Sequence, residues 1–167
     1  MRKKSVLTSL SAILFVFLLL LVSCGASYTD TFFPNDLVNQ AMTSVDGITP
    51  DEFTKLSDSY VSVFMGIDTS AIASSVMHTV SSAQYDEFGV FKCSSEADAK
   101  ELLVIINRYL ETSKQENVPI AQSYAPNEVP KLENAQAKQF GCYVTYAVLA
   151  DAQSQAWFAA VRELLTK

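Results

Sequence analysis

The sequence predicts an α+β fold: an antiparallel four-stranded sheet with helices packed on one face, in the order ααββαββα after an N-terminal leader. Three observations predict it. Stretches of period-two alternation come in two pairs, each pair joined by a short turn. Windows of 3.6-residue periodicity flank and separate those pairs. Polar or glycine-containing breaks mark nearly every change of period.

The leader comes first. Arg2, Lys3 and Lys4 open the chain, an apolar run extends from Ala12 to Val22, and Leu21-Val22-Ser23-Cys24-Gly25 closes the segment. A basic start, a short apolar stretch and small residues before a cut are the layout of an export signal. As a helix, Ala12–Val22 would span roughly 16 Å at 1.5 Å per residue, against about 30 Å of hydrocarbon in a bilayer. The run is therefore read as a cleaved leader rather than a membrane span. Leu21, Val22, Ser23 and Cys24 resemble the lipobox of bacterial lipoproteins. The resemblance implies a diacylglyceryl thioether on Cys24 and cleavage just before it. Two acyl chains hold a protein stably on a membrane where one does not. The expected layout is then residues 1–23 as signal, 24–33 as a polar tether, and 34–167 as one α+β domain. That domain is expected on the extracytoplasmic face of the cell membrane.

Charge and length narrow the function. The full chain of 167 residues carries a net charge of −6. The leader removes three basic residues and no acidic one, so the remainder is more acidic still. This argues against nucleic acid as a partner and against a polybasic contact with anionic lipid. One domain of this size buries a real core. It is too short for the two-lobed, hinge-closing architecture of solute-binding lipoproteins.

Pro34-Asn35-Asp36 starts the first helix, with Val38, Ala41, Met42 and Val45 on one face and Asp46-Gly47 closing it. Thr49-Pro50-Asp51-Glu52 reads as a capping box with proline at the first helical position. The helix expected from it carries Phe53, Leu56, Tyr60, Val63 and Phe64 inward and ends at Gly66. Val76, His78 and Val80 then alternate with Met77, Thr79 and Ser81 as a strand. Ser82–Asp86 is a polar turn, and Phe88–Cys93 pairs back as the second strand. Ser95-Glu96-Ala97-Asp98 opens the central helix, with Leu102, Leu103, Ile106 and Leu110 at helical spacing. Leu103→Ala is expected to cost about 2–5 kcal/mol if that side chain is fully buried. Pro119, Pro126 and Pro130 make Glu116–Pro130 a long loop with at most a short helix. Ala135–Phe140 and Cys142–Leu149 form a second hairpin across Gly141, and Asp151 caps a last helix bearing Trp157, Val161 and Leu165.

The sequence carries no catalytic constellation, no metal-ligand spacing and no cofactor motif. His78 is the only histidine; zinc needs three or four ligands, and none lies near it in sequence. It reads as a surface or half-buried strand residue. There is no G-x-S-x-G elbow. Asp51/Glu52 reads as helix-start charge, and Asp86/Glu87 as a solvated turn pair. Cys93 and Cys142 are an even pair in a compartment that permits a disulfide; they read either as a bridge or as two buried strand thiols. Tyr124, in the proline-rich loop, is either a contact point or a plug for the sheet edge.

From about Phe53 to Leu165 the chain resembles the DUF4358 family, small lipoproteins of Gram-positive bacteria. The resemblance is carried by Met65-Gly66-Ile67-Asp68, by Glu87-Phe88-Gly89-Val90-Phe91-Lys92 and by the helix after Ser95-Glu96-Ala97 with Arg108. Tyr124-Ala125-Pro126-Asn127-Glu128 and Gly141-Cys142-Tyr143-Val144 complete it. Cys142 is not part of the family pattern. The resemblance implies a location and a fold, and no activity. The function expected is non-enzymatic binding of a protein or envelope partner by an anchored domain. The alternative is a small-ligand sensor with a pocket between sheet and helices, and an envelope hydrolase ranks below both.

Overall fold

A computed structural model of the chain describes residues 26–166. The leader, the lipobox residues and Cys24 lie outside the described residues. Helix α1 (Pro34–Met42) precedes strand β1 (Phe53–Lys55), helix α2 (Asp58–Met65), and strands β2 (Ala73–Thr79) and β3 (Glu87–Lys92). Helix α3 (Glu96–Tyr124) and the short α4 (Val129–Glu133) follow, then β4 (Gln136–Phe140), β5 (Tyr143–Val148) and α5 (Asp151–Leu165). The fold is α+β, with an antiparallel sheet of five strands rather than four, in the order β1-β2-β3-β5-β4.

The extra strand overturns the expected capping box. Pro50–Glu52 forms one 3₁₀ turn, Thr49 caps nothing with its side chain, and Glu52 N–H donates to the Thr49 carbonyl instead. Phe53–Lys55 then pairs with β2, which sets the Phe53 ring edge-on to Phe88 at 5.0 Å. Tertiary pairing overrides a local helix signal there. The helix begins later, where Ser57 Oγ accepts the Tyr60 amide, and it ends as expected at Gly66 with φ +69°.

Helices cover both faces of the sheet, not one. Against one face lie α1 and α5, packed on Phe88, Val90, Tyr143 and Ala147. Against the other lie α2, α3 and α4, packed on Val76, Phe91, Val144 and Tyr146. The reason is visible in β3 and β5: alternate residues on both sides of each strand are apolar, so each side needs cover.

The expected loop over Glu116–Pro130 is largely helix. α3 opens on Ser95, whose Oγ accepts the Asp98 amide at 3.1 Å and donates to the Asp98 carboxylate at 2.8 Å. It then continues past Pro119 as far as Tyr124. An internal proline costs about 3 kcal/mol. Here it is exposed, and the turns around it bury Ala121 and pack Val118 on the core. Leu102, Ile106 and Leu110 are buried in α3, while Leu103 is only half-buried. The condition for a large loss at Leu103 is therefore not met. Asp151 begins α5 but caps nothing; its carboxylate accepts from Asn134 Nδ2 instead.

The stretch expected to be a free tether is pinned from Tyr28 onward. Tyr28 bridges to Thr166 and packs on Phe140, Thr29 N–H donates to the Leu165 carbonyl, and Tyr143 OH donates to the Phe32 carbonyl. Among the described residues no helix is long and apolar enough to cross a membrane.

Candidate functional site

The polar group that matters most is one whose local sequence suggests a place in solvent. Glu87 is the first residue of β3, shares the α3-side face with Phe91, and is only 5% exposed. Asp86 beside it is buried as well. Both were expected as solvated turn residues. The strand starts one residue earlier than its apolar pattern suggests, and period-two geometry then carries Glu87 inward.

Two tyrosines hold the carboxylate. Tyr146 OH donates to Glu87 Oε1 at 2.6 Å, and Tyr109 OH donates to the same oxygen at 2.9 Å. Tyr146 comes from β5 and Tyr109 from α3, so sheet and helix converge on one atom. Gly89 makes the Tyr146 approach feasible. A Cβ there would meet Tyr146 Cε1 at 3.1 Å, Val76 Cγ2 at 3.0 Å and the Ser75 carbonyl at 3.1 Å. His78 faces Glu87 directly across the β2–β3 ladder. Its Nδ1 donates to the Thr79 carbonyl at 2.7 Å, leaving Nε2 free of that bond.

Burial pushes the Glu87 carboxyl up from its ordinary value, and the Tyr146 and Tyr109 hydroxyls and His78 only partly offset this. Burial likewise raises Tyr109 and Tyr146, with the Glu87 carboxylate adding to the effect, so both hydroxyls keep their protons and act as donors. Tyr60 is raised by burial and by Glu87.

An open cavity of about 180 Å³ lies over this cluster, lined by Tyr60, His78, Tyr85, Glu87, Tyr109, Ser113, Asn117, Leu132 and Val148. It shares Tyr60, Tyr109, Ser113 and Asn117 with a wider cleft of about 430 Å³ between α2 and α3. Arg108, Thr112 and Glu116 line the wider part, with Val63 and Phe64 beside them. Asn117 is oriented by bonds from its Nδ2 to the Ser113 carbonyl and hydroxyl, at 2.9 and 3.1 Å.

A charge cluster braces the cavity wall. Lys131 Nζ lies 2.7 Å from Asp86 Oδ2 and 2.9 Å from Glu128 Oε1, and Glu128 Oε2 accepts the Tyr85 amide at 3.0 Å. Burial would lower the Lys131 ammonium, but the two carboxylates more than offset that and raise it. This ties α4 to the β2–β3 turn and holds Tyr85 at the cavity.

The residues expected to matter are not gathered here. Cys93 and Cys142 both carry free thiols, opposed at the other end of the β3–β5 ladder, where Cys93 N–H donates to the Cys142 carbonyl at 2.9 Å. Burial pushes the Cys93 thiol up to about 11, helped by Asp98 and Cys142. Burial raises Cys142 too, so both are poor nucleophiles near neutrality. Tyr124 is the last residue of α3 and 87% exposed, so it does not plug the sheet edge. His78 is half-buried, as expected, but it belongs to the cavity.

The family model described as "Domain of unknown function (DUF4358)" matches residues 48–149. The chain belongs to the DUF4358 family. Every residue named around the two cavities falls inside the DUF4358 match, whereas the docked segment at Tyr28 and helix α5 fall outside it. No curated protein and no solved structure matches the chain.

Proposed function

We propose that this DUF4358 protein is a lipid-anchored binding domain on the extracytoplasmic face of the membrane, and that it takes a small ligand in the cleft between α2 and α3. One observation carries the ligand reading: a cleft of about 430 Å³ leads into a cavity where Glu87, Tyr109, Asn117 and His78 converge. Volumes of a few hundred Å³ with a few oriented polar groups are what small-molecule sites share. The bonds that fix Tyr109, Tyr146 and Asn117 are internal, so the polar groups are oriented before any ligand arrives. The anchor rests on Leu21-Val22-Ser23-Cys24.

A protein partner is the second reading. It is favoured by Val63 and Phe64, which are 74% and 65% exposed beside the cleft.

Thr112→Trp, an exposed position that lines the cleft, tests the ligand reading. A panel of envelope-derived small molecules is screened by ligand-observed NMR against the full chain. At least one compound should bind the wild type and lose binding to Thr112→Trp; a panel blind to that substitution would refute the cleft. For the anchor, Cys24→Ala should release the protein from the membrane fraction or leave uncut precursor. Normal processing with unchanged retention would refute it.

A further inference from the structure

We propose that the inner cavity binds a small organic ammonium ion, with Glu87 as its counter-charge and Tyr60, Tyr85 and Tyr109 around it. The inference rests on the cleft reading above and names the chemistry of its ligand.

Glu87 is a buried acid with which no lysine or arginine forms an ion pair among the described residues. Among the described residues the ion pairs are those of Lys131 with Asp86 and Glu128, and neither touches Glu87. Both hydrogen bonds to Glu87 end on Oε1, and Oε2 accepts none among the described residues, although the side chain lines the cavity. A buried carboxylate without a paired counter-charge is costly. A ligand that brings positive charge removes that cost on arrival. The walls suit such a ligand, since three half-buried tyrosine rings border the space. Aromatic faces attract cations, and quaternary ammonium groups are recognised by aromatic cages. The nearest basic side chain, His78, has its Nδ1 committed to the Thr79 carbonyl. A metal ion suits the site less well. Among the described residues no three His, Cys, Asp or Glu side chains gather in one place. The wider cleft, with Arg108 and Glu116 at its wall, leaves room for the remainder of a larger amine.

The test uses the full chain in a maltoside detergent, which carries no ammonium group. Methylammonium, tetramethylammonium and choline are titrated calorimetrically beside 3,3-dimethylbutan-1-ol, the uncharged shape-match of choline. At least one cation should bind, with the neutral alcohol about tenfold weaker or worse, as expected when a desolvated charge contact is lost. Glu87→Gln keeps an acceptor for both tyrosines and should weaken that cation by about tenfold or more. Tyr60→Leu should weaken it several-fold, which guards against a folding defect at position 87. Equal binding of choline and the alcohol would overturn the charge assignment and leave the cleft reading standing. Failure of all three cations, with a Thr112→Trp-sensitive ligand still found, would overturn this inference alone. Failure of both would overturn both. Sedimentation with phosphatidylcholine against phosphatidylglycerol vesicles separates the sources of the ammonium group. Preference for phosphatidylcholine assigns it to a lipid headgroup, and free cation binding without that preference assigns it to a soluble amine; either outcome supports the class.

Discussion

The two faces of the sheet are built to different ends. On the α1/α5 face the contacts are aromatic and closed: Trp157 sits 4.6 Å from Phe88 by ring centroid, and its Nε1 donates to Thr145 Oγ1, which donates in turn to the Gly89 carbonyl. On the α2/α3/α4 face lie a buried acid, the tyrosines that surround it and the two joined cavities, and a further hollow of about 440 Å³ lies near Ile67, Ile72 and Leu102. One face therefore supplies stability, and the other gives some of it up for a site. The difference lies in what each helix brings: α5 brings Trp157, whose single donor is satisfied inside the core, whereas α3 brings Tyr109, whose hydroxyl needs an acceptor and finds Glu87.

The contrast is open to attack by substitution. Trp157→Ala should have the largest effect, about 3–5 kcal/mol of lost stability, because it empties a fully buried site. Chemical denaturation measures it, and a loss under 1 kcal/mol would break the idea that this face carries the fold. Tyr146→Phe should cost less, about 1–3 kcal/mol, by removing one of two donors from a buried oxygen. It should leave the near-ultraviolet signal of Trp157 unchanged, since the two lie on opposite faces; a large change there would mean that the faces are not separable.

The smallest effect is a slope. Burial raises the Glu87 carboxyl in the fold, so the folded chain holds that proton more tightly than the unfolded chain. The resulting stability is full below the ordinary glutamate value, about 4.3, and is lost as pH rises through the raised folded value. Across that window the slope is at most about 1.4 kcal/mol per pH unit. Glu87→Gln should flatten this part of the profile, read as denaturation midpoint against pH. An identical slope in the variant would place the titration elsewhere.

Much of the framework was legible because periodicity reports burial. Val38, Ala41 and Met42 in α1 are buried where the spacing puts them, and so are Leu102, Ile106 and Leu110 in α3. The second hairpin turns at Gly141 with φ +59°. What failed depended on contacts between distant residues. Nothing local to Thr49–Phe53 says that Phe53 will pair with Thr79. Nothing local to Pro119 says that Ala121 will be buried deeply enough to carry the helix past it. The site failed for a related reason. Taken alone, Asp86 and Glu87 look like turn charges, and only the paired register brings His78 opposite Glu87. A signal was nevertheless present: extending the β3 alternation back one step puts Glu87 on the Phe91 face, where an acid is out of place.

The docked N-terminal segment sets how the molecule would stand. With the anchor proposed at Cys24, three residues lie between it and Tyr28, a reach of at most about 14 Å for extended chain. Tyr28 is moored beside Gly141, at the Lys92 end of β3. Glu87 begins that strand, and five residues at about 3.4 Å each put it roughly 17 Å farther along. The lipid would thus hold one rim of the sheet down against the bilayer and turn the tyrosine-lined mouth away from it.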